Sequence, residues 1–381
     1  MAGRAPRPAW ALLGLAAAAQ AASAPETALP PIRHVFVLVL ENQSYESAFA
    51  TDASAPYLAR ALPARGALLS QYYAIGHASL PNYVAMVSGQ APNEQTQLDC
   101  PSFVQFLPTA DGPDAHGQLP GSGCVYPRSV KTLPDQLEAA GLTWRAYMED
   151  MGNDPARESA TCGHVPVGQR ERSQQAQLGD QYATKHDPFV YFHSIIDDGP
   201  RCEGHVVNLT HLRADLASAA TTPNYAFITP NLCHDGHDPQ CVDGRAGGLA
   251  AIDRFLREWV PLIEQSAAFR ADGALIVTFD ESDHAGPTGS SACCAERPLA
   301  GAKYPPGFNG PGGGRIGAVV LSQFVRPGTR SQVPYNHYAL LRTIEALFRL
   351  PYLGYAAEPD LQAFGRDVFS AYTPPPRAVA H

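Results

Sequence analysis

The run Ser79-Leu80-Pro81-Asn82-Tyr83-Val84-Ala85-Met86-Val87-Ser88-Gly89 sets a hydroxyl where an apolar helical stretch begins. A serine two residues before a proline suits a helix start, with its hydroxyl as the cap and the proline in the first turn. Free N–H groups and the dipole of such a helix favour an anion, phosphate in particular, beside an oxygen nucleophile. A lone Ser-x-Pro also serves as a plain helix cap, so a catalytic role requires partners. Two acidic dyads supply them: the apolar run His34 to Leu40 stops at Glu41-Asn42, and Ala274 to Phe279 stops at Asp280-Glu281. Ligands of open parallel sheets bind beyond the carboxyl ends of strands, where oxygens from two strands build a cation site. Oxygen donors select hard cations, Ca²⁺, Mg²⁺ or Mn²⁺, ahead of Zn²⁺. Such a cation would lower the pKa of the Ser79 hydroxyl and neutralise charge building on a phosphoryl group. A leaving alkoxide needs a proton donor. Three histidine contexts offer one: His186-Asp187-Pro188-Phe189, the loop Pro230 to Asp238 with His234 and His237, and Asn336-His337-Tyr338.

The elements that must hold these residues alternate along the chain. His34 to Leu40, Leu142 to Tyr147, Tyr225 to Thr229, Ala274 to Phe279 and Ile316 to Leu321 read as strands buried on both faces. Tyr57 to Leu62, Leu133 to Ala140, Leu209 to Ala219, Leu249 to Ser266 and Tyr338 to Leu350 carry helical spacing. Strand, helix, strand in this order predicts an α/β fold with a largely parallel sheet. The Pro/Gly-rich stretches 107–123 and 285–314 read as long connections, and no internal repeat is present.

Residues 1–24 combine Arg4 and Arg7, a short apolar core around Trp10 to Leu15 and small residues up to Ala24, the pattern of a cleavable signal peptide. That predicts an exported protein, periplasmic or secreted, with a mature domain over 25–372 and an unstructured tail over 373–381. No later run is apolar enough for stable membrane insertion. With 45% apolar and 17% charged residues the composition is globular. The net charge of −9 argues against nucleic acid or an anionic membrane surface as the main partner. Eight cysteines in an exported chain predict disulfides rather than a thiolate metal site. The preferred pairs are Cys100 with Cys124, Cys162 with Cys202 and Cys233 with Cys241. Adjacent Cys293 and Cys294 are expected to bridge elsewhere rather than to each other, which puts at least one of those pairs in question.

Taken together, Glu41-Asn42-Gln43-Ser44-Tyr45, His77-Ala78-Ser79-Leu80-Pro81-Asn82-Tyr83, His186-x-Pro-Phe-x-Tyr-Phe, Thr229-Pro-Asn followed by Asp235 and His237, Phe279-Asp280-Glu281 and His337-Tyr338-x-Leu-Leu-Arg-Thr-Ile-Glu resemble the bacterial phosphoesterase family. That family joins acid phosphatases and phospholipases C within the alkaline phosphatase superfamily. The resemblance covers roughly residues 32–353, in matching order. It implies an alkaline-phosphatase-like α/β sandwich with one catalytic divalent metal held by Glu41, Asn42, Asp280 and Glu281. It implies Ser79 as nucleophile, with His186, His237 and His337 meeting the phosphoryl group or the leaving group; His234 is the alternative to His237. The expected activity is a phosphomonoesterase of the acid phosphatase type, acting on small phosphate esters that extend to lipid headgroups. A phospholipase C or other phosphodiesterase is the alternative. A non-enzymatic metal-binding protein on the same scaffold is a third reading. A sulfatase is disfavoured, since Ser79 lacks the motif in which a Cys or Ser is converted to an aldehyde.

Overall fold

The run Val35-Phe36-Val37-Leu38-Val39-Leu40 has no polar residue to turn towards water, and each of these side chains is fully buried inside a sheet. The computed structural model describes residues 29–283, 289–294, 296–299 and 302–373. The expected leader, and the tail apart from Thr373, lie outside the described residues. The central sheet has eight strands: β1 His34–Leu40, β2 Ala67–Leu69, β3 Trp144–Met148, β4 Val206–Asn208, β5 Tyr225–Thr229, β6 Gly273–Phe279, β7 Ala318–Ser322 and β8 Thr329–Ser331. Their order across the sheet is β8-β2-β7-β6-β1-β5-β3-β4. All neighbouring pairs are parallel except those made by β7, which runs against both β6 and β2. The expected largely parallel sheet is therefore present, with β7 as its one reversed strand.

Helices flank the sheet in two groups. One comprises α1 Ser79–Ser88, α2 Leu133–Ala139 and, at the end of the chain order, His337–Phe348; the other comprises the turns over Tyr57–Arg65, Gly248–Gln265 and Ala267–Asp272. We number His211–Asp215 α3, Gly248–Gln265 α4, Ala267–Asp272 α5 and His337–Phe348 α6. In α4 the buried residues Ile252, Phe255, Leu256, Trp259, Val260 and Ile263 recur every three or four positions, one stripe facing the core. Among the described residues the main hydrophobic cluster runs from Ile32 to Phe369, with a small second one at Cys233, Cys241 and Ala251.

Two elements differ from expectation for identifiable reasons, and the strand expected from Leu142 begins at Trp144. The helix expected over Tyr57 to Leu62 is a π-turn, Tyr57–Ala61, that passes into an α-turn, Leu62–Arg65. Pro63 has no N–H to give to the carbonyl four residues back, so the regular ladder cannot cross it. The strand expected from Ile316 begins at Ala318, because Gly317 adopts φ 77° where a Cβ would meet the rings of Tyr45 and Phe49. The helix expected over Leu209 to Ala219 is confined to α3.

All three preferred disulfides are present: Cys100–Cys124, Cys162–Cys202 and Cys233–Cys241. Cys293 and Cys294 pair with each other, which corrects the expectation that they bridge elsewhere and removes the conflict among the other pairs.

Helix α6 also carries Glu345, whose carboxyl is fully buried and accepts from the Leu353 N–H at 3.0 Å. Its second oxygen, Oε2, has no hydrogen-bond partner. Burial pushes this carboxyl up to about 9, against the pull of the Leu353 N–H and Arg342. The folded chain thus holds a proton that the unfolded chain gives up from about 4.5, so stability falls as pH rises between these values. Glu345→Gln keeps an acceptor for Leu353 without a charge to bury. It is expected to stabilise the protein above neutral pH by on the order of 1–3 kcal/mol and to have little effect near pH 4. Denaturant midpoints measured across pH check this, and a variant no more stable than the parent at alkaline pH would refute it.

Candidate active site

Register places the two acidic dyads side by side. Leu40 of β1 aligns with Phe279 of β6, so Glu41-Asn42 and Asp280-Glu281 leave the sheet next to each other. The chain then turns sharply, with Asn42 at φ 52°, and the Asn42 N–H donates to Asp280 Oδ1 at 3.1 Å. Oδ1 also accepts from the Glu281 N–H at 2.6 Å, which fixes the carboxylate and leaves Oδ2 buried without a hydrogen-bond partner. Glu41 Oε2 is likewise buried and unpartnered. Burial, reinforced by Glu41 and Glu281, raises Asp280 well above the usual carboxylate range. Burial also pushes Glu281 up to about 7, against the pull of His77. Buried carboxylates that repel one another and keep oxygens unsatisfied are a set that a divalent cation would satisfy. Of the expected ligands Glu41, Asn42, Asp280 and Glu281, Glu41 and Asp280 each keep a buried oxygen that a hard cation would satisfy, with Asn42 and Glu281 next to them in the chain. Among the described residues, the one tight group of three ligand-type side chains is Cys293, Cys294 and Glu296, and the disulfide removes both of its thiolates.

Ser79 reaches the same corner from α1. It is the first helical residue, not the cap: Ala78 is the cap, at φ 70° and ψ 145°, a conformation that costs a non-glycine residue of order 1–3 kcal/mol. Freed from capping, the Ser79 hydroxyl donates to Glu41 Oε1. The anion expected at the helix start is met in part by the protein itself, because the Leu80 N–H donates to Asp99 Oδ1 at 2.9 Å. The other oxygen of Asp99 accepts from Lys185 Nζ at 3.2 Å. Burial opposes the charge on Lys185, but Asp99, with contributions from Glu41 and Asp280, holds the ammonium above its ordinary value. A fixed cation thus lies within the field of the acidic dyads.

The histidines divide. His186 is fully buried, stacks on Tyr83 with ring centroids 5.1 Å apart, and sets Nε2 2.6 Å from Glu41 Oε1 and Nδ1 3.4 Å from Asp235 Oδ2. Burial pulls it down, yet Glu41 and Asp235 prevail and push it up to about 9, so it is cationic at neutral pH. His237 lines an open cleft and is about one-third exposed. Its backbone N–H is held by Asp235 Oδ1 at 2.8 Å and its Nδ1 by Asp238 at 2.8 Å, which leaves Nε2 for the cleft. His234 turns away to Glu149, 2.8 Å from Nδ1. The Cys233–Cys241 disulfide closes the loop bearing both histidines. His337 is a correction. It sits behind the Asp280 turn as the first residue of α6, with Nε2 donating to the Asp280 carbonyl at 2.7 Å and Nδ1 therefore accepting from the Tyr72 hydroxyl at 3.1 Å. Burial pulls its pKa down to about 4, against the Asp280 carbonyl. A neutral ring with both nitrogens engaged positions the acidic turn and has no proton to offer a leaving group.

The cleft, of about 540 Å³, is lined by Asn42, Gln43, His77, Ala78, His237, Glu281, Asp283 and Phe308, among others. His77 donates to Glu281 through Nδ1 and to the Gly289 carbonyl through Nε2 at 3.0 Å, orienting one acidic ligand. Sequence reasoning singled out neither His77, Lys185, Asp99 nor Asp235 as a site residue. Lys185 carried a signal, being one of three lysines in the chain (with Lys131 and Lys303) and directly preceding His186. His77 stood two residues before Ser79. Asp99 carried none.

A family model described as "Phosphoesterase family" matches residues 52–351. An acid phosphatase of Aspergillus fumigatus is 27% identical over 84% of this chain and 55% of its own length. A phosphate-repressible acid phosphatase of Penicillium chrysogenum is 29% identical over 83% of this chain and 58% of its own. The chain thus spans little more than half of these fungal relatives. A phosphatidylinositol-3-phosphatase of Mycobacterium tuberculosis is 27% identical over 87% of this chain and 81% of its own. Among solved structures, a protein in the alkaline phosphatase superfamily from Vibrio parahaemolyticus superposes with a TM-score of 0.51 at 13% identity, over 91% of this chain and 74% of that one. This likeness is one of fold.

Proposed function

This chain belongs to the phosphoesterase family, whose members hydrolyse phosphoric esters, and on that footing we propose that it is an exported, metal-dependent acid phosphatase acting on phosphomonoesters through a covalent phosphoserine at Ser79. The observation that carries the proposal is the meeting, at one oxygen of Glu41, of the Ser79 hydroxyl and the cationic His186 beside the unsatisfied Asp280 carboxylate. Four disulfides support an oxidising compartment. Among the described residues no helix is long and apolar enough to cross a membrane.

Glu41 takes the proton of Ser79 as Oγ attacks phosphorus in line, so that the Ser–O–P bond forms as the bond to the leaving oxygen breaks. His186 and Lys185 supply fixed positive charge as the phosphoryl oxygens are reorganised. His237 gives its Nε2 proton to the leaving oxygen, then accepts one from the water that attacks the phosphoserine, while Glu41 returns its proton to Ser79 Oγ as the Ser–O–P bond breaks. A divalent cation held by Glu41, Asn42, Asp280 and Glu281 would supply Lewis-acid stabilisation of the phosphoryl group. In the metal-free chain Glu41 raises His186 to about 9 and burial lowers His337 to about 4, so in that state neither ring titrates near its ordinary value.

The test is the rate on para-nitrophenyl phosphate against para-nitrophenyl phosphorylcholine from acidic to neutral pH, with added divalent metals. A monoester dianion offers three unesterified oxygens to the charged groups, a diester two. Monoester turnover is expected to dominate; a large preference for the choline diester would replace this reading by a phospholipase C or other phosphodiesterase.

A further inference from the structure

Gln43, Pro239, Asp283 and Phe308, the mouth, line the same cleft as His77, His237 and Glu281. Among the described residues, no lysine or arginine lines it. Nearby cations are engaged elsewhere. Arg315 pairs with Glu46 and lies over the Tyr45 ring, Lys303 lies 3.9 Å from Glu94, and Lys185 is buried against Asp99. Among the described residues, the carboxylates near the cleft include Asp283, which accepts from the Ser47 hydroxyl at 2.8 Å, and Asp238, which holds His237.

Phe308 is built into this wall. Its φ is 55°, uncommon for an aromatic residue, and its N–H donates to the Pro305 carbonyl at 3.0 Å. The same turn is tied to the nucleophile's loop, since the His77 N–H donates to the Pro306 carbonyl at 2.9 Å. Tyr304 supports the Phe308 ring, with centroids 6.0 Å apart. An aromatic side chain is thus held by backbone hydrogen bonds to the loop that precedes Ser79, inside a cleft large enough for one ring.

We propose that this mouth is a leaving-group subsite that accepts an uncharged group with a flat apolar face against Phe308, and that it selects against leaving groups carrying a second phosphate or a carboxylate. The proposal rests on the phosphomonoesterase reading above. Its physical basis is that a second anion finds acidic groups and an amide where a site for it needs guanidinium or ammonium. The free energy of that mismatch enters as weaker binding, because the extra charge does not take part in bond breaking.

Two nearly isosteric substrates isolate the charge: para-carbamoylphenyl phosphate and para-carboxyphenyl phosphate. kcat/KM is expected to be about tenfold lower for the carboxylate, mainly through KM, and the gap should narrow as salt screens the rim. Gln43→Lys should shrink the ratio between the two substrates, and Phe308→Ala should raise KM for the carbamoyl substrate several-fold relative to phosphoethanolamine. Equal rates on the two aryl substrates in the parent enzyme, or a preference for the carboxylate, overturn the subsite. The salt response of the parent decides the matter without any variant. Para-nitrophenyl phosphate separates the two levels: turnover of it with no charge discrimination defeats the subsite alone, whereas inertness towards it defeats the phosphomonoesterase reading as well.

Discussion

Replacing Ser79 by alanine is expected to lower kcat for a phosphomonoester by on the order of 10³-fold or more while leaving the chain folded. The stability side of this expectation follows from what the hydroxyl does. Ala78, not Ser79, caps α1, so the substitution removes no cap, and alanine is the best of helix formers. Alanine does forgo the hydrogen bond to Glu41, at about 1–3 kcal/mol, because a buried acceptor is then left with fewer donors. The kinetic side follows from covalency: without Oγ no phosphoenzyme can form, and any residual rate must come from direct attack by water. Quenching a reaction with radiolabelled substrate should trap label on Ser79 in the parent protein and none in Ser79→Ala. Near-normal turnover of a variant shown to be folded would remove Ser79 from the mechanism.

The parts of this site that are legible in the sequence are those set by strand ends. Buried parallel strands announce themselves as unbroken apolar runs, and once β1 and β6 pair in register, Glu41-Asn42 and Asp280-Glu281 must emerge together. Strands of three residues, β2, β4 and β8, are too short to show any periodicity and escape such a reading. Asp99 and Lys185 meet across 86 positions, and the role of Asp99 depends on its reaching the Leu80 N–H, which no local pattern encodes. His337 misleads because its sequence context, a helix start beside a tyrosine, is the same whether the ring faces substrate or the back of the acidic turn. Only the packing of Tyr72 and the Asp280 carbonyl distinguishes the two. The three longer disulfides follow from proximity in sequence, but the pairing of Cys293 with its neighbour does not, since eight cysteines permit about 105 connectivities.

Asp280→Asn carries the second large expected effect, and here two readouts should move in opposite directions. Asparagine keeps an oxygen for the Asn42 and Glu281 N–H groups, so the turn survives, but one charge of the proposed cation site is gone. Divalent metal content and affinity should fall by at least about tenfold, and activity by on the order of 10²-fold or more. In the parent, chelation should abolish turnover, and metal added back should raise the thermal midpoint, since a ligand that binds only the folded chain stabilises it by about 2.7 kcal/mol at 100 times its Kd. Without metal the order reverses. Burial and the neighbouring Glu41 and Glu281 raise Asp280 above its unfolded value of 3.8, so the metal-free parent loses stability as pH climbs past that value. The variant has no such group to ionise. Metal-free Asp280→Asn is therefore expected to melt above the metal-free parent at neutral pH, and metal-saturated Asp280→Asn below the metal-saturated parent. A parent that keeps full activity after verified metal removal, or a variant whose melting responds to metal as strongly as the parent's, would show that these carboxylates do not form the cation site.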